Sequence, residues 1–220
     1  MNSITKREKE KIERRNKRIS EILEAAEKLF SGKGIKDTKM IDIARECELS
    51  KGSLYFYFKS KDEIIWDLLF KHSEQEFNAG LQYIRTIEGD SYTKLKGYFE
   101  LFTGELLEGY TSNTPSFEYR EHMMGMLRNN ELSDSMKEQF KLIAQRNLSF
   151  IVDLIKEGVA DGTMAPTMDI EKLGKSIGTS FGLYFRYLIS IKASFADDFL
   201  KDKKEEFKVY TQMVLSVLKP

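Results

Sequence analysis

The sequence predicts an all-α chain in two parts: a three-helix unit near the N-terminus and a larger helical domain after it. Apolar residues recur every three or four positions from Ile19 to Leu218, with no sustained alternation of the strand type. Only 3 prolines interrupt the 220 residues. Charge is divided unevenly: residues 1–61 hold 16 Lys+Arg against 10 Asp+Glu, and the remainder hold 19 against 25, so a formal net charge of zero conceals a basic beginning and an acidic body. A hydrophobic content of 41% is ample for a sizeable core in a chain of this length.

The first helix is predicted from the stripe Ile19, Ile22, Leu23, Ala26, Leu29 and Phe30, which ends at Gly32 and Gly34. Residues 1–16 form a charged N-terminal arm, since Ile4 and Ile12 are the only apolar side chains there beyond Met1. The arm is either solvated or a forward extension of the first helix, and its basic residues could reach phosphates. A second helix is capped by Asp37 or Thr38, turns Met40, Ile41, Ile43 and Ala44 inward and runs to about Cys47. Glu48 and Leu49 make the turn, and Ser50 caps a third helix in which Leu54 and Phe58, four apart, are the inward anchors. Ile64, Ile65, Trp66, Leu68 and Leu69 begin the next apolar helix.

Two short helices joined by a tight polar turn, followed by aromatics interleaved with lysines, are the layout of a helix-turn-helix that reads double-stranded DNA. Lys51, Gly52, Ser53 and Tyr55 fall where side chains approach base edges, with Gly52 permitting close backbone approach. Tyr57 can donate its phenol hydrogen to a phosphate oxygen, and Lys59 and Lys61 supply charge. The run Phe30, Gly34, Thr38, Ile43-Ala44, Leu49-Ser50-Lys51-Gly52-Ser53-Leu54-Tyr55, Tyr57-Phe58 and Ser60-Lys61 closely resembles the TetR/AcrR-type family of bacterial transcriptional regulators, over about residues 17–77. The resemblance implies a DNA-binding domain over 17–66, an effector-binding and dimerisation domain over 67–220, and a twofold dimer built from the last two long helices. DNA-binding positions are then Thr38, Lys39, Ser50, Lys51, Gly52, Ser53, Tyr55, Tyr57 and Lys61. Two positions depart from the family pattern. Glu48 stands where a turn glycine is usual, and Thr38 comes one place early for the phosphate-contacting threonine, leaving Lys39 nearest that role.

Beyond Trp66, helices are predicted at about 61–85, 92–110, 116–128, 135–160, 169–194 and 203–218. Thr114-Pro115 makes one start, and Ser135 with Glu138, and Asp202 with Glu205, have the spacing of capping boxes. Gly174, Gly178 and Gly182 recur every four residues beside the stripe containing Phe181. Each glycine disfavours a helix interior by about 0.8–1 kcal/mol relative to alanine, so three in a row indicate close approach by another helix. A second copy of the chain is the expected partner, with Tyr210 and Val214 of the last helix completing the interface. The middle of the chain is rich in aromatics and methionine. Phe99, Phe102, Phe117, His122, Met123, Met126, Phe150 and Phe181 are the candidate lining of an apolar or aromatic small-molecule effector site, with Tyr98, Phe185, Glu118, Gln145 and Arg146 nearby in the pattern. Ordinary core packing is the competing reading for each of them.

Other chemistries lack their context. GKSIG and GTSFG match the nucleophile pattern G-x-S-x-G, but they lie in a helical stripe and no histidine follows His122. Neither His72 nor His122 belongs to a metal-binding signature, no P-loop is present, and no cofactor is implied. A single cysteine, Cys47, suits a reducing cytoplasm and a small inward-facing role. No apolar run reaches the ~18 residues of a membrane helix, so a cytoplasmic, non-enzymatic regulator is expected. It would be a ligand-responsive repressor that binds a palindromic operator as a homodimer. The alternative is a helical protein- or lipid-binding module without sequence-specific DNA binding.

Overall fold

The computed structural model describes residues 5–104, 115–194 and 197–219, and it is helical throughout. The helices are α1 (Lys6–Lys33), α2 (Met40–Glu46), α3 (Lys51–Tyr57), α4 (Lys61–Thr86), α5 (Ser91–Thr103), α6 (Pro115–Arg128), α7 (Asp134–Ala160), α8 (Ile170–Ser194) and α9 (Asp197–Ser216).

The basic segment before residue 17 is helical, so of its two readings the forward extension is the one observed. Thr5 closes a capping box with Glu8, in which the Thr5 hydroxyl accepts from the Glu8 amide and the Glu8 carboxylate accepts from the Thr5 amide at 2.8 Å. Pairing of Arg14 with Glu10 and of Arg18 with Glu21 follows the helix spacing. The start of α2 also differs from expectation: Lys39 occupies the cap position, and Asp42 accepts from its amide at 2.9 Å. The predicted box at Ser135 shifts to Ser133, whose hydroxyl accepts from the Met136 amide. Asp202 lies inside α9 rather than at its start. The predicted helix over 92–110 is seen as α5 to Thr103, and its remainder, like Thr114, lies outside the described residues.

Glu48 explains the family's turn glycine. Its φ is 56°, in the left-handed region; its amide donates to the Arg45 carbonyl and the Leu49 amide to the Ala44 carbonyl, the paired bonds of a Schellman closure of α2. Asn130 makes the equivalent closure of α6 at φ 56°, with a residue type that tolerates this conformation better.

Two apolar clusters organise the packing. The first gathers Ile22, Ala26 and Phe30 of α1, Ile43 and Ala44 of α2, Leu54 and Phe58 at α3, the first half of α4, Tyr119, Met123 and Met126 of α6, and Met136 of α7. The second joins Leu95 and Phe99 of α5 to Ile151 and Ile155 of α7, Ile177, Phe181 and Phe185 of α8 and Phe207 of α9. Helix α4 is unbroken across residue 66 and enters the first cluster with Ile64, Ile65 and Leu68 fully buried.

The glycines of α8 serve packing within one chain. A Cβ at Gly174 would lie 2.6 Å from Val152 Cγ2 and 3.0 Å from Val152 Cα, and one at Gly178 would lie 2.6 Å from Leu148 Cδ2, so α8 is pressed against α7. Phe181 is buried in the second cluster, which removes Gly174, Gly178 and Phe181 from the expected dimer face. Gly182 alone of the three faces open space, while Tyr210 and Val214 are half-buried against the same cluster.

Glu48→Gly removes the strain of a left-handed side chain, worth about 1 kcal/mol net, and is expected to raise Tm by about 2–4 °C in a thermal melt. Asp67, half-buried on α4, is pushed up by burial, and secondarily by Glu63, from an ordinary 3.8 to about 6. The stability this group contributes is complete below its unfolded value and is lost as pH rises through about 6. Melts of Asp67→Asn against the parent should therefore show a gain at pH 8 that shrinks as the pH is lowered towards 4.

Candidate nucleic-acid interface

The short helix α3 is oriented by its apolar side. Leu54 is fully buried and Phe58 is 4% exposed, so the helix lies on the first cluster. Ser50 holds its N-terminus, with the hydroxyl accepting from the Ser53 amide at 3.0 Å and lying 2.8 Å from the Ser53 hydroxyl. Lys59 closes the other end by donating to the Tyr55 carbonyl at 2.8 Å. The opposite side presents Lys51, Gly52 and Ser53 to solvent. Tyr55 is half-buried, with the Lys51 ammonium 5.9 Å from its ring centre, and Tyr57 is half-buried against the first cluster.

Phe56 stands on this outward face with 69% of its surface exposed, edge-on to Tyr57 at 5.3 Å. Sequence reasoning passed over it. The signal was present, because inward anchors at Leu54 and Phe58 leave the residue midway between them pointing out. A large aromatic ring held in water beside Lys51, Gly52 and Ser53 is the kind of apolar surface that meets a thymine methyl group in a major groove.

Two expected phosphate contacts are engaged elsewhere. Thr38 is 1% exposed and its hydroxyl donates to the Gly34 carbonyl at 2.8 Å, so the side chain ties the α1–α2 connection together and does not face outward. The Lys61 ammonium donates to the carbonyls of Ile35 at 2.5 Å and Thr38 at 3.0 Å, pinning the same connection to the start of α4. Lys39 remains exposed at the start of α2. Ion pairs Lys33–Asp42 and Lys28–Glu46, both 2.6 Å, fasten α2 to α1. Cys47 is half-buried at the end of α2 as expected, with its thiol pushed up by burial.

The candidate effector residues do not share one place. Phe99, Phe102, Phe150 and Phe181 belong to a continuous ring cluster with Tyr98 and Phe185, with Phe99–Phe181 at 4.8 Å, Phe102–Phe181 at 4.9 Å and Tyr98–Phe150 at 5.2 Å between centres; Phe117 packs at its margin. Met123 and Met126 are buried in the other cluster, and His122 pairs with Asp62 at the start of α4, 2.8 Å away, so these three leave the ring cluster. His72 pairs with Glu27 of α1 at 2.5 Å, and the Trp66 indole donates to Gln139 of α7. The seam between the two parts is thus polar as well as apolar.

Among the described residues, no group of three His, Cys, Asp or Glu could hold a metal ion, and no helix is long and apolar enough to cross a membrane. Ser176 and Ser180 lie within α8, without the strand-to-helix elbow that G-x-S-x-G requires.

Lys61→Met should lower stability by about 1 kcal/mol, since backbone carbonyls lose a charged donor. The salt slope of DNA binding should change less in this variant than in Lys39→Ala, which is expected to flatten it by about one unit.

Comparison with known proteins agrees with this geometry. The family described as bacterial regulatory proteins, tetR family, matches residues 22–67. The HTH-type transcriptional repressor KstR2 of Mycolicibacterium smegmatis is 28% identical over 157 residues, covering 70% of this chain and 71% of that protein. The uncharacterised HTH-type transcriptional regulator YfiR of Bacillus subtilis is 27% identical over 166 residues, covering 74% and 76%. The crystal structure of reduced NemR from E. coli superposes with a TM-score of 0.64 at 13% identity, over 92% of this chain and 99% of that one. An outward-facing third helix on a buried three-helix core, matched in sequence over that core and in fold over the rest, leads to one conclusion. Residues 22–67 carry the DNA-binding unit of the tetR family of bacterial regulatory proteins, and over about 70% of its length the chain resembles HTH-type transcriptional regulators.

Proposed function

We propose that the chain acts as a homodimeric repressor that grips an imperfect palindrome and lets go when a small apolar or aromatic effector binds. The observation that carries this reading is the outward face of α3, where Lys51, Gly52, Ser53 and Phe56 are exposed on a helix locked by buried Leu54. In this reading Lys51, Gly52, Ser53, Tyr55 and Phe56 meet base edges, while Lys39 and Tyr57 contact phosphates. Repression is supported by the name of the KstR2 relative, a transcriptional repressor.

Dimerisation is supported by an apolar surface on the last two helices. Leu183 and Tyr187 of α8 are 60% and 48% exposed, and Val209 and Met213 of α9 with Val217 just after it are 56%, 63% and 45% exposed, each set at four-residue spacing. Paired through this face by a twofold axis, two copies would present their α3 helices to half-sites about one helical turn, ~34–36 Å, apart or a multiple of it.

The effector site is assigned to the ring cluster of α5, α7 and α8. An effector there releases DNA only if it binds the DNA-incompetent arrangement more tightly. Helix α4 is the lever, because one end lies in the core under α3 and the other lies against α5.

Footprinting on the promoter region of the chain's own gene, at about 50 and 200 mM salt, should protect a palindrome with affinity that falls steeply as salt rises. Lys51→Ala and Phe56→Ala are expected to change base preference, and Met213→Asp to give a monomer with weakened operator binding. A monomeric parent protein, or protection without sequence preference, would overturn the proposal.

A further inference from the structure

We infer that the effector is an organic acid, an apolar body bearing one carboxylate, and that Arg146 of α7 is the residue that takes the carboxylate. The inference rests on assigning the effector site to the ring cluster, and it adds the chemical class. The Arg146 guanidinium lies beside two rings of α4, with its carbon 5.0 Å from the centre of Phe77 and 5.9 Å from that of Phe70. Its Nη1 is 3.5 Å from the Glu74 carboxylate. Its Nε and Nη2 are buried and have no hydrogen-bond partner.

Those two nitrogens form one edge of the guanidinium, with N–H bonds parallel and spaced to meet both oxygens of a carboxylate. Ring faces attract the positive charge but offer no lone pair to these donors. Buried donors are ordinarily satisfied, and two parallel N–H donors of one cation, buried without a protein acceptor, are the polar complement of a carboxylate.

The surroundings specify the rest of the molecule. Phe150 lies one turn along α7 from Arg146, edge-on to Phe77 at 6.5 Å and 5.2 Å from Tyr98, which continues to Phe102 at 4.8 Å and Phe181 at 5.7 Å. A ligand anchored at Arg146 would therefore lay its apolar part along aromatic rings. The anchor touches α4 directly, so neutralising its charge weakens the attraction of α7 for Glu74 and supplies the differential contact that release of DNA requires.

The test uses the full-length protein and three acids, decanoate, 4-phenylbutyrate and 2-naphthylacetate, each against its primary amide, by calorimetry and thermal shift. At least one acid should bind about tenfold or more tighter than its amide, as a charge-assisted pair warrants. The preference should vanish in Arg146→Gln and be only partly kept in Arg146→Lys, which retains charge without the paired edge. Glu74→Gln, which leaves Arg146 in place, should bind that acid several-fold tighter; this variant decides the matter should the Arg146 variants fail to fold. Equal binding of acid and amide would leave the ring cluster as the effector site and overturn the carboxylate assignment. An acid preference that survives Arg146→Gln, or no tightening in Glu74→Gln, would also overturn it. Failure of all six compounds to bind would overturn both the assignment and the site.

Discussion

The burial of α4 is the constraint on which the rest of the molecule depends. Ile64, Ile65 and Leu68 have no exposed surface, and Trp66 and Leu69 have almost none, so the start of this helix is a structural element of the N-terminal core as much as of the domain that follows. Helix α3 has only seven residues and could not hold a conformation alone. It takes its direction from Leu54 and Phe58, which sink into the same cluster that α4 fills. The face it turns to solvent is fixed by what it buries.

Polar contacts repeat this logic at the seam. Glu27 of α1 faces His72 of α4, Asp62 of α4 faces His122 of α6, and the Trp66 indole reaches Gln139 of α7. Each links α4 to a different neighbour. The Lys61 ammonium, drawn onto the carbonyls of the α1–α2 connection, joins the beginning of α4 to the loop before the reading motif. A helix tied to so many partners moves as a unit or not at all, which suits the lever role proposed for it.

The second cluster is built on a different principle. Its rings lie against one another with centres near 5 Å, and α8 approaches α7 closely because Gly174 and Gly178 carry no side chain. The helix-weakening effect of those two glycines is offset by contact area along α7, so the first two members of the four-residue repeat mark an intrachain seam. The apolar surface left open lies elsewhere, on α8 at Leu183 and Tyr187 and along the chain's last turns at Val209, Met213 and Val217.

What the sequence determined by itself was local: the helices, the cap at Ser50, the anchors Leu54 and Phe58, and the anomaly at Glu48, whose left-handed backbone follows from where α2 must stop. Periodicity and capping act over a few residues and so are readable along the chain. Tertiary structure decided which of two partners a residue meets when both are chemically acceptable. Thr38 and Lys61 could bind phosphates but satisfy backbone carbonyls, Gly174 could face a second copy but faces Val152, and His122 could line a pocket but pairs with Asp62. These outcomes depend on contacts between residues far apart in the chain, where spacing says which side of a helix a residue occupies and packing alone says what lies across from it.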